Sequence, residues 1–485
     1  MTELKVMQSP VAVQAERPLC VDLDGTLVKS DTFADSLMVL ARRHPIAFLS
    51  TPWWALKGKA YIKSKVGSLV TLDVAHLPYN RPLLDYLRDE HASGRKLYLA
   101  TGADRVLARK IAGHLGIFEE VLASDGRVNL TGDHKLQHLE QRFAADGFDY
   151  IGNAMPDLPL LQGAQQAMVA NPAPSLNSAL KSRNVTVSRK FLDRARASAA
   201  LAKALRVHQW AKNLLVFLPL LLAHSLRAAP VLAACAAFFC FCFTASATYI
   251  FNDLLDLEPD RVHLNKRKRA FAAGDLSVAT GLGVSFLLLS LALITAAYLP
   301  RTFLIYLLLY LVTTLAYSLS LKRVVLVDVV ILSSLYTIRM MAGSAATRDP
   351  VSPWLAAFSI FLFLSLAMVK RFSELQNLHA RGVTPTNGRG YLLSDIEQLR
   401  SFGTSSAYAS IVIFALYING HDVVALYHHP NRMWLITPLL ILWVSRVWLL
   451  ASRGLLDEDP VVFALSDRMS LLLGLGVVII AYSAL

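Results

Sequence analysis

From about residue 205 to its end the sequence is a succession of apolar runs broken by short charged loops. Runs of roughly 17–22 apolar residues have the length that crosses the hydrocarbon of a bilayer. Nine fall near 212–226, 229–251, 278–298, 302–320, 324–346, 353–369, 404–420, 433–451 and 469–485, and eight is the alternative count because the first and last are short. The 204 residues before them read as a soluble domain. The N-terminus, MTELKVMQSPVAVQAERP, has no apolar core of a signal peptide, which places that domain in the cytosol. Fourteen Lys and Arg then fall in inward loops, Arg381 and Arg389 among them, against four outside, as the positive-inside rule requires. The net charge of +13 is therefore read as loops facing anionic lipid and phosphate, and nucleic acid is set aside as a partner. Cys20, Cys235, Cys240 and Cys242 sit in apolar segments with no paired spacing, so neither a disulfide framework nor a zinc site is expected.

At the end of the second run stands FNDLLDLEPDRVHLNKRKR, residues 251–269. Charge at that depth is costly and points to a function. Asn252, Asp253, Asp256 and Asp260 recur at three and four residues, so on a helix they share one face. Converging carboxylates make a Mg²⁺ site when a diphosphate supplies the other oxygens. Arg261, His263, Lys266, Arg267 and Arg269 follow at once and suit phosphate oxygens. The plainer alternative is an inward loop with a few solvated acids.

The stretch NDLLDLEPDRVHLNKRKRAFAAG resembles the first aspartate motif of the UbiA superfamily of intramembrane prenyltransferases. The resemblance implies an all-α polytopic domain of about nine transmembrane helices. It also implies that Asn252, Asp253, Asp256 and Asp260 bind Mg²⁺ and a donor diphosphate, with Lys266, Arg267 and Arg269 as phosphate contacts. Aromatic prenyltransferases of that superfamily carry a second aspartate pair. Here the matching stretch, YSLSLKRVVLVDVVILSSLYTIRMMAG, offers Asp328 alone, with Leu332 four residues on and Tyr336 and Arg339 further along the same helical face. That departure resembles the polyprenyl-phosphate phosphoribosyltransferases, as do LRVHQWAKNLLVFLPLL (205–221), Trp354, KRFSEL (370–375) and DPVVFALSDRMS (459–470). This branch implies 5-phosphoribosyl pyrophosphate (PRPP) as donor and a polyprenyl phosphate as acceptor. Lys212, Lys322, Arg339, Lys370 and Arg371 are its candidate lipid-phosphate contacts, and Asp328 either orients the ribose or assists the metal. Asp328 paired with Arg339 for packing is the structural alternative. Arg446, inside an apolar run, reads as a structural charge. Leu264 and Ala270 stand where the family has prolines.

The front domain opens with LCVDLDGTLVKSD, a buried strand ending in D-x-D-G-T, the signature of the haloacid dehalogenase (HAD) phosphatases. The resemblance implies a nucleophile at Asp22, an acid/base at Asp24 and Mg²⁺ between them and the phosphate. KLYLATGAD supplies Thr101, LTGDHKLQHL supplies Lys135 and DYIGNAMPDLPL supplies Asp157 as a further metal carboxylate, with Asn153 replacing that motif's first acid. Strand–helix alternation predicts a doubly wound α/β domain over 1–183, with a helical cap at about 30–95. A degenerate docking module is the alternative. Residues 45–65 mix Phe48, Trp53, Trp54 and Leu56 with four lysines, as either an interfacial helix or a cap helix packed on its own core would. Residues 184–204 read as a basic amphipathic linker helix and 205–485 as the membrane domain.

The combined reading is a bifunctional inner (plasma) membrane enzyme with both active sites on the cytoplasmic side. Phosphoribosyl transfer from PRPP to a polyprenyl phosphate is followed by loss of the 5-phosphate, giving a lipid-linked sugar of the cell-wall-precursor kind. Its implied ligands are Mg²⁺, PRPP, the lipid phosphate and membrane lipids, and an oligomer is compatible. Prenyl transfer to an aromatic acceptor, and a phosphatase on a non-catalytic anchor, are the two rivals.

Overall fold

The computed structural model describes residues 17–124, 130–380, 382, 390–424, 426–456 and 460–485; Arg381, Arg389, Asp459 and most of the N-terminal stretch lie outside the described residues. Two compact units result. One joins the residues up to Ala204 with Ile250–Gly283, and the other comprises Leu205–Tyr249 and Val284–Leu485.

In the first unit, short apolar segments such as LCV, DYIG and AMVA are buried along their whole length, the pattern of strands covered on both faces. They belong to a parallel six-stranded sheet: β1 (Leu19–Val21), β2 (Leu97–Asp104), β3 (Glu120–Ser124), β4 (Asp149–Gly152), β5 (Ala167–Ala170) and β6 (Val187–Phe191). The order is 3-2-1-4-5-6. One apolar layer centres on Leu23, Leu83 and Ile111, the other on Leu139, Tyr150 and Leu160. The winding reverses between β1 and β4, which opens a crevice at the carboxyl ends of these two strands. This is the doubly wound α/β domain that the motifs anticipate. Its helical cap follows β1 as α1 (Thr32–Arg43), α2 (Pro45–Leu49), α3 (Thr51–Leu56) and α4 (Lys59–Leu69). Asp31 starts α1 by accepting from the amides of Phe33 and Ala34.

Two expectations are corrected. Within 184–204 only Ala197–Leu205 begins a helix, because Val187–Phe191 is the sixth strand, paired in parallel with β5. The exposed Ser188, Arg189 and Lys190 that suggested a basic helix are the solvated side chains of a sheet edge, where charge discourages further pairing.

The second correction concerns the spans. Among the described residues, seven helices are long and apolar enough to cross a membrane, or eight if Pro460–Ser466 and Arg468–Ala484, bent by 78°, count as one. The expected span at 212–226 is not continuous. Val207–Phe217 is 3₁₀ and Leu218–Leu222 is a five-residue α-helix, too short to cross. Its apolar composition is that of a span, and its seating explains the difference. The segment packs against the Val327–Thr347 helix where Gly343 lies, and a Cβ on Gly343 would stand 2.1 Å from the Val216 carbonyl oxygen. Gly343→Ala is expected to force these two elements apart, at a cost of about 1–3 kcal/mol, and thermal unfolding of the full chain in detergent measures it.

Candidate functional site

The loop after β1 places Asp22, half of a buried ion pair, at the crevice mouth. Its Oδ1 accepts from Lys135 Nζ at 2.8 Å and its Oδ2 from the Thr26 hydroxyl at 3.2 Å. Asp157 lies 3.7 Å from the same ammonium, so one lysine bridges two carboxylates. Tyr150 completes the set, its hydroxyl accepting from Lys135 at 3.0 Å and donating to Asp157 Oδ1 at 2.8 Å. The other oxygen of Asp157 takes the amides of Asn153 and Ala154. Asp24 is oriented separately, by the Thr32 amide at 2.8 Å. Burial pushes the Asp22 carboxyl up to about 6 despite the opposing Lys135. Burial first, and then Asp31, push Asp24 up to about 7. A carboxyl that holds its proton near neutrality is the kind that can protonate a leaving oxygen.

Thr101 is fully buried on β2 and its hydroxyl accepts from the Ala103 amide at 3.0 Å. Gly25 has φ +79°, and a Cβ there would meet Asn153 Nδ2 at 2.0 Å, so the turn needs glycine for both conformation and space. Of the five residues singled out by the motifs, Asp22, Lys135 and Asp157 are thus brought together; Asp24 follows Asp22 by two residues, and Thr101 stands on the neighbouring strand β2. Tyr150 was missed, because a tyrosine in a buried strand carries no sequence signal beyond its apolar ring. Tyr150→Phe is expected to leave Lys135 and Asp157 each short of a partner. The predicted loss is about 1.5–3 kcal/mol of stability together with slower phosphate release, read by thermal unfolding and a phosphatase assay on the same protein.

The aspartate motif lies in the same compact unit but not on one continuous helix. The Ala228–Leu255 helix ends at the break on Asp256, and Leu257–Val262 forms a separate short helix. The break splits the expected face. Asp253 and Asp260 share the Arg269 guanidinium at 3.0 and 2.6 Å, whereas Asp256 pairs with Arg42 of α1 at 3.0 Å. Asn252 is half-buried beside them, and Lys266 and Arg267 are exposed. Arg261 turns away from the acids of its own motif. It donates to Asp35 at 2.8 Å and to the Ser30 hydroxyl at 3.2 Å, because the buried Asp35 carboxylate requires a counter-charge.

Among the described residues no three His, Cys, Asp or Glu side chains come together so as to hold a metal ion. Neither expected triplet, Asp22–Asp24–Asp157 or Asp253–Asp256–Asp260, is a cage made by the protein alone, since these carboxylates are already engaged as described. The donor chemistry still fits Mg²⁺. At each site two hard carboxylates bracket a single cation, Lys135 or Arg269, which leaves further coordination positions for phosphate oxygens.

The second unit holds two buried polar clusters. Asp328, fully buried, accepts from Arg371 Nε at 2.6 Å and from the Tyr391 hydroxyl. Arg371 also donates to Tyr317 at 3.0 Å and Glu374 at 2.8 Å. The packing partner of Asp328 is therefore Arg371, and Arg339 belongs elsewhere. Arg339 donates to Asn213 at 2.8 Å and Tyr310 at 3.0 Å and lies over the rings of Tyr310 and Tyr336. Lys212 Nζ is 5.9 Å from the Tyr336 ring centre. Lys322 and Lys370 are half-buried. Tyr317, Tyr391, Tyr310 and Asn213 went unnoticed in the sequence, having no spacing that marks them. Arg446 makes a bidentate pair with Asp467 at 2.6 and 3.0 Å, consistent with a structural role.

Comparison with known proteins matches residues 213–472 to the UbiA prenyltransferase family. A protein of Sinorhizobium fredii called y4nM is 39% identical over 94% of this chain and 89% of its own. Decaprenyl-phosphate phosphoribosyltransferase of Mycolicibacterium smegmatis is 34% identical over 46% of this chain and 71% of its own. A HAD family hydrolase of Salmonella enterica serovar Typhi aligns with 36% of this chain and 66% of its own at 14% identity, with a TM-score of 0.27.

Proposed function

Because the chain belongs to the UbiA prenyltransferase family, we propose that its membrane half transfers 5-phosphoribosyl from PRPP to a polyprenyl phosphate, and that its HAD-like half then removes the 5-phosphate. The observation that carries the choice of donor is Asp328. It is the lone acid of its stretch and is already neutralised by Arg371, so a second acidic pair for a prenyl diphosphate is not available there. Similarity to proteins named decaprenyl-phosphate phosphoribosyltransferases supports the same reading.

In the transfer, an oxygen of the lipid phosphate forms the new bond to ribose C1 as the bond from C1 to pyrophosphate breaks. A phosphate monoester is already a nucleophile, so no strong base is needed. Asp253, Asp256 and Asp260 would hold Mg²⁺, which when bound offsets the charge of the departing pyrophosphate. Lys266, Arg267 and Arg269 bind its oxygens, with Asn252 as a further contact. Lys212, Lys322, Arg339, Lys370 and Arg371 are assigned to the lipid phosphate, and Asp328 with Tyr336 to the ribose.

In the hydrolysis, an Asp22 oxygen attacks phosphorus while Asp24 gives its proton to the departing 5-oxygen. Water, deprotonated by Asp24, then releases phosphate from Asp22. Thr101 and Lys135 hold the phosphoryl oxygens, and Asp22, Asp24 and Asp157 would hold Mg²⁺, which when bound offsets the phosphoryl charge. Both steps are assigned to the cytoplasmic face of the inner membrane.

Product mass spectrometry tests the scheme. The protein with Mg²⁺ receives polyprenyl phosphate and PRPP, or in parallel a polyprenyl diphosphate and 4-hydroxybenzoate. A lipid-linked ribose from the first mixture is the expected result. Product from the second mixture alone would make the protein an aromatic prenyltransferase, and none from either would leave the phosphatase as its one activity.

A further inference from the structure

The cap presents an apolar face that nothing among the described residues covers. Among the described residues of 17–204 the large apolar side chains more than 70% exposed are four: Ile46 at 83%, Leu49 at 74%, Trp53 at 72% and Leu56 at 80%. Their spacing is three, four and three, which puts them on one face of a helical path. The short break between α2 and α3 preserves that path, since Ser50 itself is helical. The opposite face is also apolar, and Ala47, Phe48 and Trp54 pack on the domain core. Packing the cap thus accounts for one face only. Single exposed apolar residues need no explanation, but a contiguous row marks an interaction surface.

The charge around the row selects its partner. Between Asp35 and Asp73 there is no acidic residue, while Arg42, Arg43, Lys57, Lys59, Lys63 and Lys65 lie in that stretch. Arg42 and Arg43 are taken up by Asp256 and Glu258, and Lys63 donates to the Gly102 carbonyl. Lys57, Lys59 and Lys65 are exposed. A row of Ile, Leu, Trp and Leu flanked by lysines has the composition of an element lying in the headgroup layer, where Trp rings settle and Lys stems reach anionic phosphates. The chain also has, among its described residues, seven or eight helices long and apolar enough to cross a membrane, so a bilayer lies within its reach.

We propose that Ile46, Leu49, Trp53 and Leu56 seat the phosphatase cap in the surface of an anionic bilayer. The seat holds the crevice of the soluble domain at the membrane surface, where a lipid-borne phosphate can enter without leaving its leaflet.

The test uses the full chain in nanodiscs containing phosphatidylglycerol and a lipid with a shallow doxyl quencher. A bimane label is placed through Trp53→Cys and, in a second protein, Leu56→Cys; both side chains are exposed, so neither change removes core packing. Asp85→Cys, on an exposed position of the Arg81–Ala92 helix, is the reference. Quenching at 53 and 56 is expected to exceed that at 85 by at least roughly twofold, and to weaken when phosphatidylglycerol is replaced by phosphatidylcholine. Equal quenching at all three positions would overturn the proposal. So would protection of 53 and 56 that arises in detergent and rises with protein concentration, because the row would then be an interface between two copies.

Discussion

Asp22→Asn is expected to leave a lipid-linked ribose that retains its 5-phosphate. Loss of an attacking carboxylate removes the covalent route, and the fall in phosphate release should be on the order of 10⁴-fold or more. The asparagine keeps the size of the side chain; its one amide oxygen can still accept from Lys135, and its NH₂ can donate to the Thr26 hydroxyl where Asp22 accepted from it. Folding should therefore survive, and transfer of phosphoribosyl should continue at its original rate. Mass spectrometry distinguishes the two products by one phosphate. If the variant and the parent both release a dephosphorylated lipid, Asp22 is not the nucleophile. If neither protein removes the phosphate from a lipid-linked ribose 5-phosphate supplied directly, the soluble domain serves another substrate and the two reactions are not consecutive.

Asp253→Asn should do the reverse. Its carboxylate is buried and shared with Asp260 across Arg269, so the substitution removes a charge from the group assigned to Mg²⁺ and the diphosphate. A fall of about 10³-fold in lipid product is expected, in line with the loss of a preorganised charge at a site of changing charge. Phosphatase activity on a small soluble phosphate ester serves as the control for folding, because the motif belongs to the same compact unit as the crevice of Asp22. Transfer unaffected by Asp253→Asn would return the membrane half to the role of an anchor.

The contacts within that unit were not legible in the sequence. Arg261 reads as one more base in a cluster suited to phosphate, yet it is spent on Asp35, 226 residues away. Asp256 reads as the middle ligand of a one-sided set, yet a helix break turns it to Arg42. Spacing alone cannot reveal either choice, since both depend on which distant charge arrives beside a buried group. The same is true of Asp328, whose guanidinium partner is 43 residues away on another helix, whereas the expected partner was one on its own.

Where the physics is local, neighbouring residues suffice. The turn after β1 needs glycine at 25 whatever surrounds it, and an aspartate pair two residues apart at a strand end is visible in five letters. Apolar runs of membrane length gave five of the seven described helices to within about four residues at each end; Pro353–Ala380 runs on well past its apolar core, and Leu393–Ile418 begins well before its own. The failure at 212–226 is instructive because composition was right and continuity wrong: hydropathy measures what a segment dissolves in, not whether its backbone is α-helical or 3₁₀.

The sequence by itself determined that part of the chain must live in lipid, that another part is a wound α/β sheet, and which aspartates stand at the end of a strand or a span. These follow from periodicity and transfer free energy, which are properties of neighbouring residues. The tertiary structure alone decided the pairing of charges: Lys135 between two carboxylates with Tyr150, Arg269 between Asp253 and Asp260, Arg371 on Asp328, and an apolar row left facing outward on the cap. A buried charge is stable only beside its complement, and which complement reaches it is set by the path of the whole backbone.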